Sequence, residues 1–362
     1  MVAEPAAALA RSTLGDYLAL RRGEPVTVEA WSSSLGWARP FVVDARRLGA
    51  RPLLALEDED AFFRSLEDGG RVPTAPRALA QLGGAYVYLP GPQAFPRLLG
   101  LRPQELRSAL ERHDGPWRAA ARRSGLRGAR LAIATVSTLA AARYGVDLDG
   151  WRDEVVRASM VPSSTLGRTA RPLVRRLARA RRATIRHGNG TSLELDLRPH
   201  RWSEATGRPV RPGATLWTDL PTGCLRIAVR PGSADGAWEA NRPAYDRWGD
   251  TAVGLGARFL FESGRLREVS FDRGGEIFGT ARDARRTLRP TVVELSVGLN
   301  PQVSRAPEVG ELEIGTLGLA LAAGTAGSPG SRRWSFRSLL HGADVNLDGH
   351  PWLVGGRPAR GP

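Results

Sequence analysis

The hydrophobic pattern splits the chain into a half where strands alternate with helices and a half that is mostly strand. Pro25–Ala30 (PVTVEA) alternates and is rich in β-branched residues, which predicts a strand. Trp37, Ala38, Phe41, Val42, Ala45 and Leu48 fall on one face of a helix, and Gly49 then Ala50 end it as a C-cap should. Pro52–Leu56, Ala85–Leu89 and Leu131–Val136 are short apolar runs that predict buried strands. Strands separated by helical stretches imply right-handed βαβ units and a mostly parallel sheet.

Between about Trp151 and Arg182 the period is helical. Leu173, Val174, Leu177 and Ala180 form an apolar stripe, and Arg175, Arg176, Arg179, Arg181, Arg182 and Arg186 fill much of the rest. Such a run reads as a solvated helix face, with a dedicated anion site as the alternative. From Ala183 the period changes to two. ATIRH-GNGT-SLELDL predicts a hairpin, and further strands are expected at Cys224–Val229, Ala257–Glu262, Leu266–Phe271, Thr291–Leu295 and Leu317–Leu321. The expected fold class is α/β + α+β: an N-terminal, mostly parallel α/β domain over residues 1–175 and a β-rich domain over residues 176–362.

Composition narrows the class of protein. The 362 residues suffice for two domains with separate cores. The apolar fraction is 42% and the charged fraction 25%, values of a globular protein. No run approaches the ~20 apolar residues of a membrane-spanning helix. The N-terminus has Glu4 and no basic stretch before its alanines, so it is expected to lead into a helix and not to act as a signal peptide. Cys224 is the one cysteine, which excludes an internal disulfide and suits a reducing cytoplasm.

The net charge is +15, and all 52 basic residues are arginine. Arginine stays charged at any physiological pH and grips carboxylate or phosphate through two parallel N–H bonds. Acidic partners are therefore expected. Nucleic acid is disfavoured among them, because the arginines are interleaved with acids along the chain and no helix-turn-helix, zinc-finger or RRM pattern occurs.

Several segments carry a motif order. LRRGEPVTVEA at Leu20–Ala30, RLGARP at Arg47–Pro52, the hairpin over Ala183–Leu195, DLPTGC at Asp219–Cys224, VELSVGLN at Val293–Asn300, ELEIGTLGLALAAG at Glu311–Gly324 and SLLHGADVNLDG at Ser338–Gly349 follow one another. In this order they resemble the M29 family of metal-dependent aminopeptidases. Its Gly-Thr-x-His-x-Ala-x-Gly segment is matched by Gly315 and Thr316, with Gly318 at the histidine position. The resemblance implies two divalent metals, bridged by carboxylates and held by histidines, whose bound hydroxide attacks a peptide carbonyl.

Carried over residue by residue, the resemblance places one carboxylate ligand at Cys224 and the next at Glu294, which is present. It places the strand histidine at Gly318 and a following tyrosine at Thr325. The closing His-x-Asp pair falls on His341 and Ala343, with Asp344 one place out of register. Of the five ligand positions only Glu294 and His341 keep the family's ligand, which is too few for a metal pair. A relative of this fold that opens aromatic rings with iron needs the positions of Gly318 and Ala343, so a 2-His-1-carboxylate site is missing as well. No metal and no cofactor are expected.

Two candidate chemistries remain. Cys224 and His341 are candidates for a nucleophile–base pair, against the bland reading of an inert buried thiol and a structural histidine. His113, His187, His200 and His350 show no metal-ligand spacing. Trp202, Trp217, Trp238, Trp248, Trp334 and Trp352 lie in the second half, several of them beside arginine, as in Arg201-Trp202, Arg247-Trp248 and Arg333-Trp334. The bland reading is core packing. The functional one is an aromatic and arginine groove for an extended peptide, lined by Trp202, Trp217, Arg226, Trp238, Trp248, Glu294, Gly318, Arg333, Trp334 and His341.

The expected function is a catalytically inactive, aminopeptidase-like protein that binds a peptide. An acidic precursor in a peptide-maturation pathway suits the charge. A divergent hydrolase with a rearranged metal site or a Cys224/His341 pair is the alternative, and a nucleic-acid binder is the third class. The resemblance also implies a homodimer.

Overall fold

The computed structural model describes residues 3–67, 82, 84–91, 126–198, 201–207, 217–246, 252–274, 290–304, 306–323 and 334–359. The chain forms two compact units. One is Met1–Ser163 with Gly207–Thr222, and the other is Ser164–Thr206 with Gly223–Pro362. The 175/176 division expected from the sequence lies inside a helix of the second unit, Ser163–Leu177.

The first unit is built on a five-stranded sheet of β1 (Pro25–Trp31), β2 (Arg51–Glu57), β3 (Ala85–Tyr88), β4 (Arg127–Leu131) and β8 (Trp217–Leu220), in the order β2-β1-β3-β4-β8. All four pairings are parallel. β1 is buried almost throughout, as a strand inside a parallel sheet must be. Helices α1 (Ala3–Ser12), α2 (Leu35–Arg47), α3 (Glu59–Glu67), α4 (Thr138–Tyr144) and α5 (Leu148–Ser159) complete its described part. In α2, Trp37, Ala38, Phe41 and Ala45 are buried as expected, and Gly49 adopts the left-handed conformation just past its end.

Three details differ from the expectations. Leu48 is exposed, and Asp44 takes the buried place, paired with Arg47 at 2.9 Å. Pro52–Leu56 is not a buried strand. It forms the sheet edge, with Leu53, Leu54 and Leu56 exposed. The run Leu131–Val136 ends a strand instead of forming one, because Ala132–Thr135 winds into a 3₁₀ turn.

The second unit pairs two antiparallel sheets around one core. The first sheet holds β5 (Arg182–Arg186), β6 (Ser192–Asp196), β10 (Asp235–Glu239), β13 (Arg258–Glu262), β14 (Arg265–Ser270), β19 (Asp344–Leu347), β20 (His350–Val354) and β21 (Arg357–Pro358). The second holds β7 (Trp202–Ala205), β9 (Cys224–Ala228), β11 (Ala244–Asp246), β12 (Ala252–Leu255), β15 (Arg273–Gly274), β16 (Thr291–Gly298), β17 (Thr316–Ala323) and β18 (Trp334–His341), in the order β15-β12-β11-β18-β17-β16-β9-β7. Ile185, Leu193 and Phe259 of the first sheet share a core with Leu225, Leu295 and Leu319 of the second. Helix α6 (Ser163–Leu177) adds Ala170, Leu173 and Leu177 to it. Burying one face of the second sheet this way leaves its other face for chemistry.

Candidate functional site

Strand alternation decides which residues share that other face. Leu225, Ile227, Leu295, Val297, Leu317, Leu319 and Leu340 point into the core. Their neighbours of opposite parity point away: Cys224 and Arg226 on β9, Glu294 and Ser296 on β16, Thr316 and Gly318 on β17, and Arg337, Leu339 and His341 on β18. The register aligns Arg226, Ser296, Gly318 and Leu339 in one row across four strands, with Ala228, Glu294, Ala320 and Arg337 in the next. Four of the five retained or vacated ligand positions, Cys224, Glu294, Gly318 and His341, thus lie on one face of one sheet, and Ala343 does not.

Two arginines from strands far apart in sequence converge on the one surviving carboxylate. Arg337 Nη2 donates to Glu294 Oε1 at 2.9 Å, and Arg226 Nε lies 4.0 Å from the same oxygen. The short 3₁₀ turn Gly310–Leu312 brings Glu311 over the face. There it accepts from Arg226 Nη2 at 3.0 Å and also pairs with Arg337. Two cations and two anions form a closed, mostly buried network. Burial pulls the Arg337 guanidinium below its ordinary pKa, and Glu294 opposes that shift.

Gly298 permits the turn to sit this close, because a Cβ there would lie 2.1 Å from the Glu313 carbonyl. Beside the network lies a second cluster. His341 Nδ1 is 3.0 Å from Thr316 Oγ1 and 3.5 Å from a Glu313 oxygen, and Glu313 is paired with Arg242 at 3.2 Å. The backbone of His341 is held at both ends, by Asn241 Oδ1 at 2.8 Å and Asn241 Nδ2 at 2.9 Å.

The metal pair implied by the motifs does not fit these residues. The Glu294 carboxylate already faces two guanidinium groups, so a divalent ion would enter beside two fixed positive charges. Position 318 offers no donor, and the direction its side chain would take is filled: a Cβ there would meet Ser296 Oγ at 2.3 Å and Leu339 at 3.3 Å. Cys224 is fully buried, and burial raises its thiol pKa, which disfavours the thiolate that binds metal. Ala343 sits in the core, and Asp344 belongs to β19 in the opposite sheet, where it accepts from the Gly355 N–H at 2.6 Å. Among the described residues, no three or more His, Cys, Asp or Glu are grouped to hold a metal ion.

The nucleophile–base pair is corrected as well. β16 and β17 lie between Cys224 on β9 and His341 on β18. Three strand spacings amount to about 14 Å, far beyond hydrogen-bond reach.

The aromatic groove does not assemble from the described tryptophans. Trp238 and Trp352 are core residues whose indole N–H groups donate to Ser338 Oγ at 2.9 Å and to the Leu173 carbonyl at 3.1 Å. Trp202 packs against the same core. Trp217 is in the first unit, where its ring covers Gly128, its register partner on β4. Trp334 opens β18 opposite Ala323. Trp248, Arg333, Thr325, His113 and His200 lie outside the described residues.

Solved structures of similar architecture exist. The chain superposes on wild-type AmpT from Thermus thermophilus with a TM-score of 0.68 at 18% identity, over 98% of this chain and 99% of that one. It superposes on 2,5-dihydroxypyridine dioxygenase from Pseudomonas putida with a TM-score of 0.64 at 14% identity, over 99% and 98%. The chain has an M29-like aminopeptidase fold. No family model matches the sequence, and no curated protein matches it at a significant level.

No motif pointed to Arg337, Glu311, Glu313, Asn241 or Arg242 as part of this site, and Thr316 stood out only as part of the Gly-Thr pair. A signal for the central ones was available: each of CLRIA, TVVELSVG and WSFRSLLH carries a single charge in an otherwise apolar or small-residue strand. Single charges inside buried strands seek one another.

No described helix is long and apolar enough to cross a membrane.

Proposed function

We propose that this protein is a metal-less, aminopeptidase-like protein that binds a peptide without cleaving it. The observation that carries this reading is the network of Arg226, Glu294, Arg337 and Glu311. Guanidinium groups supply the positive charge that metals supply in a two-metal hydrolase. They have no open coordination position, and they cannot lower the pKa of a bound water to make hydroxide. The electrostatic balance of the face is met while the means of attack on a carbonyl is lost.

The aminopeptidase-like fold favours a peptide as the ligand class. The net charge of +15 favours an acidic one, and a precursor peptide handed to other enzymes is consistent with both. A ring-cleaving dioxygenase reading lacks the histidine and carboxylate that the resemblance would put at Gly318 and Ala343. A Cys224/His341 hydrolase has its two groups three strands apart.

The test combines fluorescence polarisation with acidic and neutral peptides and metal analysis of the purified protein. Binding of peptides by protein that contains no stoichiometric zinc, manganese or iron is the expected result. Absence of binding at high micromolar peptide, together with metal-stimulated aminopeptidase activity, overturns the reading.

A further inference from the structure

Many arginines of the second unit are matched to acids, and others, such as Arg201 and Arg265, stand exposed without an ion pair among the described residues. Arg198, Arg226, Arg230, Arg242, Arg258, Arg267 and Arg337 each pair with an acid. Among the described residues no guanidinium of helix α6 or its exit has such a pair, and at the exit Asp348 accepts from the backbone N–H groups of Arg181 and Arg182. Between Glu154 and Glu194 the chain has nine arginines and no aspartate or glutamate. Arg168, Arg171, Arg175 and Arg179 are exposed, and no ion pair to them occurs among the described residues. Steps of three and four residues put Arg168, Arg171 and Arg175 on one side of the helix, about 5 Å apart along its axis, and Arg179 follows in the turn just past its end. The opposite side is fixed to the core by Leu166, Ala170, Leu173 and Leu177, all of them buried. Arg176 is held separately by the Pro351 carbonyl at 2.7 Å. The result is a row of cations with no ion-pair partner among the described residues.

We infer that this face of α6 docks an acidic segment of a peptide partner, through carboxylates that fork onto Arg168, Arg171, Arg175 and Arg179. The inference rests on the peptide-binding reading and gives it a surface separate from the Arg226–Glu294 network. Charge complementarity selects an anionic occupant, because like charges repel along the row until carboxylates or phosphates intervene. Composition then selects among anions. Residues 163–186 include no Phe, Tyr or Trp, so the base-stacking platform of single-strand binders is missing. Carboxylates need no such platform. Guanidinium charge does not titrate in the physiological range, so the interaction responds to salt and not to pH.

The experiment uses the full chain and three probes: a fluorescein-labelled peptide of alternating Glu and Ala, its Gln counterpart, and an oligo-dT of similar length. The expected result is that the Glu peptide binds at least tenfold more tightly than the Gln peptide and loses affinity as salt rises. The triple variant Arg168→Glu, Arg171→Glu, Arg175→Glu should weaken it at least tenfold more than a control triple at exposed arginines elsewhere (Arg46, Arg201 and Arg265, each to Glu). Should the reversed variant fail to fold by circular dichroism, the Gln triple at the same positions carries the test, with at least a fivefold loss.

Retained affinity in the α6 variant, or equal loss in the control, overturns the docking surface and leaves the peptide-binding reading standing. No binding of either peptide by the parent protein overturns both. Tighter binding of oligo-dT than of the Glu peptide at equal ionic strength makes the face a nucleic-acid surface and overturns the inference.

Discussion

Replacing Arg337 by methionine removes one of the two guanidinium groups at the old ligand face and keeps most of the side-chain volume. Arg337, Glu294 and Glu311 have side chains 25%, 28% and 14% exposed. A fully buried pair broken on one side costs about 3–5 kcal/mol, and a surface pair about 0–1 kcal/mol. With roughly a quarter of the two central groups still in water, the cost of Arg337→Met is about 2–3 kcal/mol, because two carboxylates are left facing Arg226 alone. For a unit of this size that lowers the melting temperature by about 4–12 °C.

Thermal melts by circular dichroism check this, and adding Glu294→Gln completes a double-mutant cycle. In the Arg337→Met background, Glu294→Gln should cost about 1–2 kcal/mol less than in the parent, since the carboxylate has already lost its partner. The same background should gain weak manganese binding once Arg226→Gln is added, as two carboxylates then face each other with no cation between them. A melting temperature within about 1 °C of the parent for Arg337→Met, or a coupling near zero, refutes the reasoning.

Gly318→Ala should destabilise by about 1–3 kcal/mol, and Gly318→His should add no metal binding, because Ser296 and Leu339 fill the space; metal titration of a stable Gly318→His variant contradicts this if it shows one tight site. The Cys224 thiol should react with Ellman's reagent only after denaturant is added, and rapid reaction of the native protein rules out the burial described above. Asp196 is held well below the usual carboxylate range, chiefly by its hydrogen bond to Arg198. A depressed carboxylate stabilises the fold above its unfolded pKa and loses that contribution as pH falls through its folded value. The melting-temperature difference between parent and Asp196→Asn should therefore be present at pH 7 and shrink steadily below about pH 4, and a difference that does not change with pH contradicts the pairing.

Local pattern reached some features and missed others for identifiable reasons. The hairpin Arg182–Asp196 was legible because a polar Gly-Asn-Gly turn separates two alternating runs. Helix α2 was legible from its spacing, yet Asp44 took a buried position and Leu48, the residue that caps the helix, is exposed. The strand of Pro52–Leu56 was found but placed wrongly. An apolar run looks the same in the middle of a sheet and at its edge, and only pairing decides which it is. Trp217 was assigned to the β-rich half by proximity in sequence, while its strand pairs with β4 of the first unit.

By itself, the sequence determined the alternation of strands and helices, the order of the family-like segments and the replacement of the family's ligands at Cys224, Gly318 and Ala343. Each of these is written within a few residues of chain. Tertiary structure alone decided what occupies the vacated face. Side-chain parity along a strand is local, but strand order, register and the turn carrying Glu311 are long-range. They bring Arg226 and Arg337, 111 residues apart by their numbers, onto Glu294. They also separate Cys224 from His341 by two strands and send Trp238 and Trp352 into the core. Burial forces charges to find partners, and only the folded register fixes which partners are in reach.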